Sequence, residues 1–88
     1  MSEQELQSKC IKYAKLKGWY VLKIIKCNVS GFPDSVLFKD GQTIFVEYKA
    51  INGIQSELQK YQQKLLENQG FKYYLVNNLN YFKEILVY

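Results

Sequence analysis

Two acids and a lysine stand out for their spacing. They are Asp34, Glu47 and Lys49, in the stretch G-F-P-D-S-V-L-F-K-D-G-Q-T-I-F-V-E-Y-K from Gly31 to Lys49. Two short apolar runs, Ser35–Phe38 and Thr43–Lys49, flank an Asp40-Gly41 pair, which is a strong local hairpin signal. Side chains alternate between the faces of a strand. The second run therefore sets Ile44, Val46 and Tyr48 on one face and Phe45, Glu47 and Lys49 on the other. Pro33 can begin or border a strand but not sit inside one. Gly31 permits a backbone angle, or a close approach, that a Cβ would block. The Gly31-Phe32-Pro33 bend thus fixes Asp34, a poor strand former, at the mouth of the first strand. If the hairpin pairs in this register, Asp34 and Glu47 lie at the same end of neighbouring strands.

Such a pair is suited to holding a cation. Two carboxylates about 4 Å apart repel by roughly 4 kcal/mol at an effective dielectric near 20. A divalent ion removes that penalty, whereas Lys49 removes only part of it. The chain has no histidine, so Ser-His, Cys-His and His-metal chemistries are excluded. A metal held by oxygen points to Mg²⁺, with Mn²⁺ as a substitute. Hydrolysis of a phosphodiester needs a cation, an activated water and a stabilised leaving oxygen. Asp34 and Glu47 supply hard ligands, and Lys49 holds or polarises the water. A lone Glu-x-Lys is ordinarily a surface ion pair on an edge strand, worth under about 1 kcal/mol. The Gly-x-Pro-Asp one hairpin upstream, on a matching face, sets this one apart.

Gly-x-Pro-Asp, a hairpin turn and Glu-x-Lys resemble the active-site motif of the PD-(D/E)XK nuclease superfamily. The wider frame is similar to the virus-type replication-repair nuclease (VRR-NUC) domain, whose small standalone members occur in phages. The resemblance runs from Glu3 to about Val76. It includes a helical Glu followed four residues later by Gln, here Glu3 and Gln7, and a Ser-x-x-Gln, here Ser56 and Gln59. It implies that Asp34, Glu47 and the backbone carbonyl of Tyr48 hold the metal, with Glu3 completing the shell directly or through water. Lys49 is then catalytic. Gln59 and Gln7 then lie towards the substrate, and Lys26, from its own place at the end of the first strand, is a further candidate for contact with it. Phe32 and Tyr48 are bulkier than the small aliphatics common at those positions.

The implied activity is that of a Mg²⁺-dependent DNA endonuclease leaving 5′-phosphate and 3′-hydroxyl ends. Resolution of four-way junctions by a homodimer suits the standalone members. The alternatives are cleavage of nicked, flapped or duplex DNA, and a non-catalytic DNA-binding or interaction module that kept the fold. The expected place is the cytoplasm, that of the host cell if the gene is a phage's.

The surrounding elements read as follows. Ser2–Leu16 is a helix with a Ser2/Glu5 capping box, an apolar stripe of Leu6, Cys10, Tyr13 and Ala14, and a stop at Gly18. Glu3 borders the stripe; Glu5 faces the polar side. Trp19–Lys26 is a strand, apolar on both faces and so expected to be internal. Lys26 divides evenly between phosphate contact and snorkelling, and Lys23 favours snorkelling. A second helix starts at Ser56, with Leu58, Tyr61, Leu65 and Leu66 as its inner face and Gly70 closing it. Gln59 completes a capping box with Ser56, a role that competes with pointing at the site. Lys72–Asn77 is the last strand, and Asn78 or Asn80 caps a short helix to about Val87. The order α-β-β-β-α-β, with that final helix, predicts an α/β fold: a mixed four-stranded sheet flanked by helices, the restriction-endonuclease-like core.

Eighty-eight residues suit a single domain that buries only roughly 60–65% of its unfolded surface, so dimerisation is a reasonable expectation. The formal charge of +4 is a modest bias towards polyanions. Cys10 and Cys27 read as reduced core thiols rather than a disulfide framework. The sequence has no apolar run of about 18 residues and no signal-peptide core at its start. No membrane association is expected.

Overall fold

The Asp40-Gly41 turn closes the hairpin in the expected register. Both residues have positive φ, 50° and 80°, the requirement of the two-residue turn that matches strand twist. The computed structural model describes residues 1–87. Along the chain come α1 (Glu3–Leu16), β1 (Tyr20–Lys23), β2 (Ser35–Lys39), β3 (Gln42–Tyr48), α2 (Glu57–Asn68), β4 (Lys72–Val76) and α3 (Leu79–Ile85). The strands form one sheet in the order β1-β2-β3-β4. The β1–β2 and β2–β3 pairs are antiparallel, and β3–β4, joined through α2, is parallel. This is the mixed four-stranded α/β architecture expected from the sequence.

The pleat sorts the core into two layers. Leu37, Ile44, Val46, Tyr48 and Val76 pack with Leu6, Cys10 and Ala14 of α1 and with Phe82 of α3. On the opposite face Val36, Phe45 and Tyr73 pack with Phe32 and with Leu66 of α2. Caps hold the helix starts. Ser2 and Glu5 form one capping box, Ser56 and Gln59 a second, and Asn78 caps α3. Among the described residues no helix is long and apolar enough to cross a membrane.

Three expectations are corrected. The first strand is an edge, not internal, and spans only Tyr20–Lys23. Its apolar residues mislead because Tyr20, Leu22 and Ile25 are exposed. The inner face of α2 is not Leu58, Tyr61, Leu65 and Leu66. Of these only Leu66 reaches a core cluster, and the other three are exposed. The side turned inward carries glutamines, for a reason given below. Finally, both cysteines are free, but only Cys10 is a core thiol, its pKa pushed up to about 12 by burial; Cys27 is exposed.

Candidate active site

Asp34 and Glu47 meet where β2 begins and β3 ends. Ser35 pairs with Val46, so the residues one step outward face each other across the ladder. The Asp34 carboxylate accepts a 2.8 Å hydrogen bond from the backbone N–H of Tyr48, which ties the bend to the end of β3. The same residue's ring turns to the α1 side, where it is fully buried beside Phe82. Tyr48 therefore lends the site its backbone and the core its side chain. The bulk of Phe32 is likewise used in packing, edge-on against Phe45.

Glu47 is only 1% exposed on an interior strand, so it is no surface ion pair. Lys49 Nζ stands 3.8 Å from Glu47 Oε2. Gln59 Nε2 donates to that same oxygen at 2.9 Å. The other oxygen, Oε1, is buried without a hydrogen-bond partner. The Glu47 pKa is pushed up to about 8, first by burial and then by the Asp34 charge. Lys49 opposes the shift, and the charge of Glu3 adds to it.

Gln59 does not choose between capping and the site. Its Oε1 accepts the backbone N–H of Ser56 at 2.8 Å, while its Nε2 reaches Glu47. A backbone N–H can only donate, so the cap orients the amide and presents its NH₂ end to the carboxylate. The start of α2 is thereby locked to the end of β3. Gln63 and Gln55 extend the polar side, with Gln55 donating to Gln63 and to the Tyr73 hydroxyl. The buried Glu47 carboxylate takes the amide of Gln59, and Gln55, which precedes the helix, takes that of Gln63, so α2 turns amides inward: buried polar atoms need partners. Gln59→Leu should cost about 2–3 kcal/mol through lost cap and lost carboxylate partner. Ser56→Ala should cost about 1 kcal/mol and leave the Glu47 contact. Denaturant melts of the two variants check this, and equal losses would refute the double role.

Gly31 shows why the bend carries glycine. Its φ is +80°, and a Cβ there would lie 2.6 Å from the Leu58 carbonyl carbon and 2.9 Å from the Gln59 nitrogen. The Asp34 bend thus packs on the very turn of α2 that presents Gln59.

The remaining expected residues are distributed around this centre. Glu3 is exposed in the first turn of α1. Its charge is felt at Glu47, but among the described residues no three acidic or thiol side chains gather as a metal group. Glu5 is occupied by its capping box, which lowers its pKa. Gln7 lines a cleft of about 530 Å³ together with Asp34, Ser8, Lys23 and Ile24. Lys26 lies beyond β1, exposed, and outside that lining. Lys23, read from the sequence as a snorkelling lysine, is the one in the cleft. A second cleft, about 310 Å³, adjoins Lys49 and is lined by Asn77, Asn78 and Tyr81. Nothing in local spacing marks these three; they arrive because β4 runs parallel to β3 and ends beside Lys49.

The donor set fits a hard divalent cation. Glu47 Oε1 is a buried acceptor without a donor, beside a second carboxylate, and both supply oxygen. Burying such an oxygen unmatched costs about 1–3 kcal/mol or more, and an ion at that point removes the cost.

No protein-family model matches the sequence, and no curated protein matches it. The fold, in contrast, has a close counterpart. A solved structure described as a VRR_NUC domain superposes with a TM-score of 0.85 at 21% sequence identity, over 98% of this chain and 97% of that one. The chain therefore has the fold of a VRR_NUC domain over 98% of its length.

Proposed function

We propose that this chain is a metal-dependent nuclease that hydrolyses DNA phosphodiester bonds. One observation carries the reading: Glu47 is buried with one oxygen free of any donor, against Asp34 and Lys49 at the end of adjacent strands. The VRR_NUC fold supports it. Asp34, Glu47 and the Tyr48 carbonyl would hold Mg²⁺, and Glu3, exposed in the first turn of α1, would join directly or through water. When bound, the ion supplies Lewis acidity and lowers the pKa of a coordinated water. The protein groups do the rest. Gln59 pins Glu47 Oε2, so that Oε1 keeps one direction. Lys49 Nζ, 3.8 Å from the carboxylate, donates to the attacking water and offsets charge on the phosphate. Gln7 and Lys23 on one side, and Asn77, Asn78 and Tyr81 on the other, give an extended strand a cleft to either side of the acids.

The finer reading is a branched substrate, a four-way junction, cut by a homodimer with two sites, in the cytoplasm. The test is cleavage of a labelled panel of four-way, flapped, nicked and linear duplex DNAs with Mg²⁺. Wild type should cut the junction fastest, and Asp34→Asn should cut none. Preference for a flap or nick replaces the substrate and keeps the enzyme. Equal inactivity of both proteins on every DNA would leave only a binding module.

A further inference from the structure

Helix α2 is amphipathic in the wrong sense for a monomer. Its sheet side carries Gln59, Gln62, Gln63 and Leu66, and none of its residues is fully buried. Its other apolar residues, Leu58, Tyr61 and Leu65, fall on one flank, continued by Ile54 just before the helix. Ile54, Leu58, Tyr61 and Leu65 are 83, 56, 57 and 41% exposed. The helical spacing of Leu58, Tyr61 and Leu65 makes one stripe, and Ile54 lies in the non-helical segment that leads into its cap. The stripe cannot be turned inward, because Gln59 and Gln63 hold the opposite side to Glu47 and to Gln55.

Together these residues expose on the order of 500 Å² of apolar surface, near the top of the ~300–600 Å² found as the largest patch on monomers. An identical stripe laid against it raises the apolar area to about 1,000 Å², the threshold of a specific interface. The flanking charges say which occupant fits. Glu57 and Lys64 border the same edge of the stripe, two turns apart. A parallel copy sets this charged edge against the glutamine edge of its partner, where neither Glu57 nor Lys64 meets an opposite charge. An antiparallel copy, related by a two-fold axis near Tyr61, sets Glu57 against Lys64 twice, as an isologous interface requires. The Glu57–Lys60 pair within the helix is exposed at both ends and gives way easily.

We infer that the Ile54–Leu58–Tyr61–Leu65 flank of α2 is the interface of an antiparallel, two-fold homodimer. The inference rests on the homodimer reading above and names its surface. Assembly and active site then share one helix, with the second copy on one flank and Glu47 on the glutamine side.

Sedimentation equilibrium at tens of micromolar tests it, with circular dichroism to verify folding. Wild type should sediment as a dimer, and Leu58→Glu/Leu65→Glu as a monomer. Leu16→Glu, an exposed apolar site at the end of α1 on the opposite face of the sheet, should remain a dimer. Lys64→Glu touches no core residue and should weaken the dimer at least about tenfold. Glu57→Lys/Lys64→Glu should restore it. A wild-type monomer overturns the homodimer reading and this surface together. A dimer that survives Leu58→Glu/Leu65→Glu leaves the homodimer and overturns the surface. The nuclease reading is judged separately, by Asp34→Asn.

Discussion

Glu47→Gln is expected to abolish cleavage and at the same time stabilise the metal-free protein. The loss of activity should be on the order of a thousandfold, about 4 kcal/mol of barrier, because the amide replaces a charged ligand oxygen. The gain in stability follows from linkage. The Glu47 pKa is about 8 in the folded chain against an ordinary 4.5, so the folded state keeps a proton that the unfolded state gives up. From about pH 4.5 to 8, stability should therefore fall as pH rises, by up to about 1.4 kcal/mol per pH unit for one proton. Glutamine is neutral throughout and can accept from Gln59 while donating to Asp34. In a chelator, wild type should lose about 4 kcal/mol, or about 15–30 °C in Tm, relative to Glu47→Gln between pH 5 and 8. Other carboxylates contribute equally to both proteins, so the difference between them is the quantity to read. Parallel pH curves would show that Glu47 ionises normally. Mg²⁺ should raise the wild-type Tm most at the alkaline end, where no proton competes for the carboxylate, and should leave Glu47→Gln almost unmoved.

The second large effect is at Gly31, and Gly41 supplies its control. Both glycines have φ of +80°. An alanine in this conformation costs about 1–2 kcal/mol from the backbone alone. At Gly41 nothing lies within 4 Å of the added Cβ, so Gly41→Ala should cost only that and keep activity. At Gly31 the Cβ meets backbone atoms of Leu58 and Gln59 at 2.6–2.9 Å, and backbone cannot swing aside. Either the bend or the first turn of α2 must move, which takes Gln59 off Glu47 or Asp34 off the Tyr48 N–H. Gly31→Ala should therefore cost at least about 3 kcal/mol, the range of overpacked and strained sites, and most of the activity. Urea melts and cleavage rates of both variants check this. Equal destabilisation would show that Gly31 serves only its turn.

Much of this protein is legible in the chain because the signals are local. Alternation around Asp40-Gly41 determines the hairpin register, and with it the meeting of Asp34, Glu47 and the Tyr48 backbone. Capping boxes mark the starts of α1 and α2. Composition excludes histidine chemistry before any coordinates exist. What the chain alone does not reveal depends on which surfaces neighbours cover. The apolar run of β1 reads as buried, but strand order makes it an edge. The leucines of α2 read as core, yet the buried carboxylate on β3 and the Gln55 amide ahead of the helix take Gln59 and Gln63 as partners, and the glutamines win the inner side. The clefts beside Asp34 and Lys49 draw Lys23 from the end of β1, and Asn77, Asn78 and Tyr81 from the turn after β4 and the start of α3, which meet the acids only once the sheet is assembled. The acids are thus set by sequence through a two-residue turn. The buried, unmatched oxygen of Glu47, and the raised pKa that follows, exist only once α2 has packed over β3 and excluded water.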